Sequence, residues 1–475
     1  LISVSAIDRL RTNRLVTFVY TLLTVGAVYF WFNSPWGSLQ LNFLAILICV
    51  LGVRPTLQWL QRHDDTYPLL EILQLMVVPF YALPLFTEHA AVAKYPEATL
   101  VRAAWVVVVF QVSCSLVGAL LMRTHPLTRK RTWWHTELIA ESKLSFTSYT
   151  MMLTVAWLFV AAFTSWMPPE LTGTFRAIFF GIGIISAFLQ ARLWGLGLLS
   201  QGRQAFFVFL LVLYVLLTSL SLLLITSLTL LLLVLVGYFS ASRRIPWLAI
   251  ALVLPIFFML HGGKSEMRAI YWGEYARPIT VTHVPAFYAE WFGYGFASGG
   301  NIHEDEESGA GSNLLERASL FQIVSYVVDT VPERTPYLAG STYSIVPPQV
   351  IPRFLWPEKP SPNESVKILS VQLGMLTSQQ AETTSIGFGL IAESYANFGI
   401  YGAIILGFAA GYVLRKISLI TAGCATLSTG GIFRILCLAW CLNSEVTMAV
   451  WVSSLYQACV AVIGPLLMFR AFTKN

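Results

Sequence analysis

No Asp, Glu, Lys or Arg occurs from Leu15 to Val53, and none lies between Arg203 and Arg243. A helix that crosses a bilayer needs about 20 mainly apolar residues, so each run is long enough for two crossings. Asn33, Ser34, Pro35 and Gly37 divide the first run, and Thr218 to Ser221 divide the second. Further spans are expected at Leu69–Phe86, Ala103–Met122, Leu144–Met167, Phe175–Trp194, Pro246–His261, Ile400–Leu414, Ile432–Ser444 and Ala449–Phe469. That makes about 12 transmembrane helices in an all-α polytopic membrane protein.

Composition agrees. Charged residues make up 11% of the chain and hydrophobic residues 56%, with a mean hydropathy of +0.68. A soluble chain of this size carries about 25% charged residues. The high aliphatic and aromatic content excludes disorder as the reason for the low charge. The net charge of +6 fits basic loops better than a nucleic-acid surface, and no nucleic-acid-binding motif is present. All cysteines but Cys424 lie inside apolar runs, so no disulfide framework is indicated. Cys437 and Cys441 share a helix face, but no His joins them, and core packing explains them better than a metal site. The chain begins with Leu, so a few residues are expected to precede it. The first run is too long for a signal-peptide core and is read as a span.

Orientation follows from Lys and Arg in the short loops. With twelve spans, Arg9, Arg11, Arg14, Arg54, Arg62, Arg123, Arg129, Lys130, Arg131, Lys143, Arg243, Arg244, Arg415, Lys416, Arg470 and Lys474 all fall on one face. Both termini are then cytoplasmic. The loop holding Trp133 and Trp134 reads as an interfacial anchor on an anionic leaflet. Three regions result: residues 1–261 with nine spans, a large outer-face segment at 262–393, and residues 394–475 with three spans. A segment of that length is too long for a mere connection, and long loops often carry function.

The outer segment opens with "GGKSEMRAIYWGEYARP". Lys264, Arg268 and Trp272 are spaced four apart and share a face if the preceding helix continues. The row Glu304 to Glu307 sits among Gly and Ser without calcium-loop spacing and reads as a solvated loop. A helix is expected near Leu314 to Val324, with Arg317 close to its apolar face. The stretch "IPRFLWPEKP" at Ile351 to Pro360 combines Arg353, Glu358 and Lys359 with Phe354, Trp356 and three prolines. Prolines lower the entropy lost in holding a site, and a fixed guanidinium can grip phosphate oxygens through two parallel hydrogen bonds. Trp356 offers a flat face for a sugar ring. Glu393 stands at the edge of the tenth span, where a carboxylate is expensive and therefore a candidate for function. It is the first choice for a proton acceptor, ahead of Glu266 and His283. Tyr395 and Asn397 are its polar neighbours.

Four stretches carry a family resemblance: "KSEMRAIYW", "ERASLFQIV…VP…PYLAGSTY", "IPRFLWPEKP" and "ESYANFGIYGAIILGFAAGY". In these the chain resembles the bacterial oligosaccharide repeat-unit polymerases, the O-antigen polymerase (Wzy-like) proteins. The resemblance spans the outer segment and the tenth span, roughly a third of the chain. It implies a GT-C-like glycosyltransferase at the outer face of the bacterial inner membrane. The implied donor is a glycan on undecaprenyl diphosphate, and the acceptor is a lipid-linked repeat unit. Neither a nucleotide sugar nor a metal or other cofactor is implied. Membrane lipid, a chain-length regulator and a flippase are the implied partners, and nucleic acid is not one. On this reading Arg268, Arg317 and Arg353, with Lys264 and Lys359, meet the diphosphate. Glu393 takes the proton, and Trp272, Tyr343, Trp356 and Tyr395 hold sugars. "LLSQGRQAF" is similar to a Ser-Arg-Gly stretch of related enzymes, but the topology puts Arg203 on the inner face and outside the site. Two alternatives stay open. One is a ligase of the same class, and the other is a polysaccharide or lipid transporter, for which no repeated halves are found.

Overall fold

The computed structural model describes residues 6–62, 66–87, 89–124, 132–136, 146–164, 169–222, 224–242, 244–272, 277–300, 319–351, 355–383, 385–443 and 445–473. Every described element is a helix. Those of eight residues or more are α1 (Ala6–Asn33), α2 (Leu39–Arg62), α3 (Leu69–Val77), α4 (Glu97–Thr124), α5 (Phe146–Phe163), α6 (Pro169–Gly195), α7 (Gln201–Ser219) and α8 (Leu224–Ser242). They continue as α9 (Trp247–Gly262), α10 (Lys264–Tyr271), α11 (Val284–Gly300), α12 (Leu320–Thr330), α13 (Glu364–Gln372), α14 (Gly389–Ile420), α15 (Thr429–Cys441) and α16 (Met448–Thr473).

Among the described residues, 10 helical stretches are long and apolar enough to cross a membrane. They match ten of the expected spans. The other two expected spans are the shorter helices α9 and α15. α3 runs on through a π-turn at Val78–Ala82 to Phe86, so Leu69–Phe86 forms one span containing Pro79 and Pro84. The tenth span begins at Gly389 rather than Ile400. Glu393 therefore sits within a helix rather than at its edge.

The chain forms two compact units. One comprises residues 1–139 with 318–475, and the other residues 140–317. In the first unit α14 lies along α4. Gly407 and Gly411 make this approach possible, because a Cβ on either would stand 2.6 Å from the carbonyl of Phe110 or Cys114. Small residues four apart permit such close packing where lipid supplies no hydrophobic drive between helices. Polar side chains tie the neighbours. Gln111 Nε2 donates to the Ile48 carbonyl at 3.1 Å, and Gln74 Nε2 donates to the Gln111 carbonyl at 2.9 Å.

Arg415 departs from expectation. It does not stand in a basic loop but is buried inside α14, with its Nη2 2.7 Å from Glu71 Oε1 on α3. Arg62 approaches the same oxygen at 3.8 Å. A charge held away from water needs such a partner. Arg434 on α15 donates to the carbonyls of Thr421 and Cys424 at 3.0 and 2.7 Å, and its guanidinium lies over the Tyr67 ring. It thereby serves carbonyl groups at and just beyond the C-terminal end of α14, which attracts cations.

The second unit is packed around Met151, Phe207, Tyr214 and Leu230, with a further cluster of Leu222, Leu260, Phe287 and Trp291.

Candidate functional site

Glu393 has no exposed surface. Its Oε2 accepts the backbone N–H of Met448 at 2.6 Å. Met448 opens α16, and the first N–H groups of a helix lack partners in their own helix. The carboxylate thus anchors the positive end of α16, a contact of about 0.3–2 kcal/mol. Among the described residues its Oε1 has no hydrogen-bond partner. Among the described residues Glu393 joins no ion pair, so the carboxylate faces a helix terminus rather than an arginine.

One turn further on, α14 breaks. Phe398 and Gly399 leave helical geometry, and Gly399 takes φ +60° and ψ −148°. That region is essentially restricted to glycine. In an unbroken helix the carbonyls of Ala396 and Asn397 would accept from residues 400 and 401. Here they accept from the N–H groups of Leu338 and Ala339, at 3.0 and 3.2 Å. The Asn397 side chain completes the junction. Its Oδ1 accepts from the Gly340 N–H at 2.9 Å, and its Nδ2 donates to Thr342 Oγ1 at 2.9 Å. The loop after α12 is thereby fastened to the break by backbone and amide bonds.

Aromatic rings flank this junction. Tyr343 stacks on Phe398 with ring centroids 6.1 Å apart. Tyr337 meets Tyr395 edge-on at 6.5 Å. Burial, and then the neighbouring Glu393 carboxylate, push the Tyr343 phenol far above its ordinary range, so it remains a hydroxyl. Close by, Ser365 and Thr447 share a hydrogen bond of 2.8 Å, and the Gly389 N–H donates to the Glu445 carbonyl at 3.0 Å. Thr342, Glu445 and Thr447 were not singled out from the sequence. The signal for the last two was a short polar break, "NSEVT", between two apolar runs.

Lys359 has a different setting from the one its neighbours in sequence imply. Its Nζ donates to the carbonyls of Pro348, Gln349 and Ile351, at 3.3, 3.3 and 2.6 Å. It holds its own loop. Trp356, in the same loop, is exposed. Arg353 lies outside the described residues, as do Arg317 and the acidic row Glu304 to Glu307.

In the second unit, Lys264, Arg268 and Trp272 follow one another along α10 and its end. As the four-residue spacing predicts, the Arg268 guanidinium lies 4.1 Å over the Trp272 ring. Arg268 Nη2 also donates to the Leu222 carbonyl at 3.0 Å, in a turn where Leu222 adopts φ 55°. Tyr271 donates to Glu290 at 2.8 Å. Glu266 is half-buried, and His283 and Arg203 are exposed.

Glu393, Tyr343 and Tyr395 therefore gather at the break in α14, while Lys264, Arg268 and Trp272 form a separate group in the other unit. No curated protein and no solved structure matches this chain. Residues 318–469, which contain the broken helix, Glu393 and the fastened loop, match the family model of the O-antigen polysaccharide polymerase Wzy, and in this stretch the chain carries a domain of that family.

Proposed function

We propose that the protein joins lipid-diphosphate-linked oligosaccharide repeat units into a surface polysaccharide, working at the outer face of the bacterial inner membrane. The observation that carries this reading is the family match over residues 318–469, which encloses the buried carboxylate and the broken helix. We place α9 and α15 among twelve spans, both termini in the cytoplasm and residues 262–393 outside, in a GT-C-like arrangement. The basic loops support that orientation.

In the proposed reaction, a hydroxyl of the acceptor unit attacks the anomeric carbon of the donor glycan. The bond from that carbon to the diphosphate oxygen breaks, and polyprenyl diphosphate leaves with the electron pair. Glu393 takes the hydroxyl proton, through the carboxylate oxygen that does not hold the Met448 N–H. Arg353 stabilises the charge that develops on the leaving diphosphate. Lys359 acts through the loop that it holds together, rather than as a diphosphate ligand. Tyr343 and Tyr395 offer faces and hydroxyls to sugars, while Trp356 stands on the exposed side of its loop. No nucleotide sugar and no metal enters this scheme.

The test uses purified protein and a lipid-diphosphate-linked repeat unit, with no nucleotide sugar added. A ladder of products on a gel supports a polymerase. A single transfer to a different acceptor, without longer chains, identifies a ligase instead. Movement of intact substrate across a vesicle membrane, with no new glycosidic bond, identifies a transporter.

A further inference from the structure

The proline-rich loop has one property that the reaction does not use. On either side of residues 352–354 it exposes a run of apolar side chains, Val350 at 47%, Ile351 at 36%, Leu355 at 68% and Trp356 at 41%, with the exposed carboxylate of Glu358 beyond them. Several of its backbone groups meanwhile find partners inside the loop. The N–H groups of Val350, Ile351 and Lys359 donate to the carbonyls of Pro347, Pro348 and Trp356. Pro347, Pro348, Pro357, Pro360 and Pro362 have no N–H to satisfy. The carbonyls of Pro348, Gln349 and Ile351 accept from Lys359 Nζ, and those of Ile345 and Pro360 accept from Gln349 Nε2 at 3.0 and 3.1 Å.

A solvated loop has no need of this. Water would serve the carbonyls, and an ammonium would stay hydrated rather than be 9% exposed. Non-helical backbone in contact with lipid does need it, because nothing there can replace water as a partner. The position fits as well. The turn Val346–Gln349 packs on α16, and Tyr343 just before it stacks on Phe398 of α14. Both helices are apolar enough to span. On α14 itself Phe398, Tyr401 and Ile405 are exposed apolar side chains of the same kind.

We propose that residues Val350, Ile351, Leu355 and Trp356 dip into the bilayer at the headgroup and acyl boundary, with Lys359 as the internal donor that lets the loop shed water there. Trp356 is suited to that depth, since its ring is apolar and its N–H is wet. The inference rests on the membrane-spanning reading of α14 and α16, and not on the reaction assigned to the protein.

The test places a bimane label on Leu355→Cys, Ile405→Cys or Ser378→Cys in lipid nanodiscs. Ile405 marks the exposed side of α14, and Ser378 marks an exposed polar turn. The wild-type chain, whose thiols are buried or half-buried, gives the labelling blank. Quenchers are a lipid spin-labelled near the headgroup and aqueous iodide. The label at residue 355 is expected to be quenched by the lipid at least half as strongly as that at 405, and by iodide far less than that at 378. Iodide quenching at 355 equal to that at 378, with lipid quenching kept at 405, overturns the loop's insertion alone. A label at 355 shielded from both quenchers places protein over the patch and also overturns it. Strong iodide quenching at 405 overturns the spanning reading beneath the proposal.

Discussion

Helix α14 buries a charge near each end and treats the two in opposite ways. Near its C-terminus Arg415 meets Glu71 at 2.7 Å, a cation against an anion. Near its N-terminus Glu393 accepts the N–H that opens α16 and, among the described residues, meets no cation. Between them the helix is regular from Ile400 onward and broken at Phe398–Gly399. The comparison separates two uses of buried charge. A charge closed by its opposite locks helices together. A charge with no opposite, beside a distorted backbone, is the one proposed above to move a proton.

The sharpest way to break this comparison is Glu393→Gln. The amide oxygen can still accept from Met448, so the melting temperature in detergent should be nearly unchanged. Polymer formation should fall about 10²–10⁴-fold if the residue moves a proton. Wild-type ladder yield from Glu393→Gln would reduce Glu393 to an anchor for α16 and make the two ends alike.

The opposite end should fail in stability instead. Removing one partner, as in Arg415→Met or Glu71→Leu, leaves a buried charge and should destabilise by about 3–5 kcal/mol. The double variant Glu71→Leu/Arg415→Met should recover most of that in a thermal melt. A single variant that melts like wild type would show that water already reaches this pair.

The break itself lies between these cases. Gly399→Ala places a Cβ 2.8 Å from the Tyr337 hydroxyl at a positive φ, and should destabilise by about 1–3 kcal/mol. Adding Tyr337→Phe relieves the contact but not the backbone strain, so only part of the loss should return. Asn397→Ala removes the amide bonds to Gly340 and Thr342, again at about 1–3 kcal/mol, and should speed proteolysis in residues 337–343. The exposed pair Arg102–Glu333 at 3.3 Å should matter least. Glu333→Gln is expected to shift stability by about 0–1 kcal/mol, within the scatter of a denaturation curve.

Helix positions were legible because charge-free runs and polar breaks are local signals. The turn between α7 and α8 falls where Thr218 to Ser221 interrupt the run. Glu393 was legible for the same reason, as a lone carboxylate beside an apolar helix. Its partner was not, since Met448 lies 55 residues away and contributes only a backbone N–H. Arg415 was misplaced because it precedes Lys416 and the two together look like a loop. Nothing local marks the carboxylate of Glu71, 344 residues earlier in the chain, as its partner. The spacing of Gly407 and Gly411 was visible in "GFAAG", but only packing against α4 gives it meaning. Lys359 reads in sequence as a free cation beside Arg353. Its three carbonyl partners belong to a turn whose shape no periodicity reveals.

The junction at the break in α14 has a consequence for how such a protein could be re-engineered. Leu338 and Ala339 reach the helix through their main-chain N–H groups, and Gly340 meets the Asn397 amide in the same way. Main-chain donors are common to every residue but proline. The socket therefore reads the path of the incoming chain more than its side chains, with Gly340 kept for its φ of +89°. Loops of different composition can be grafted between α12 and the socket while the rod formed by α14 and α4 stays as it is.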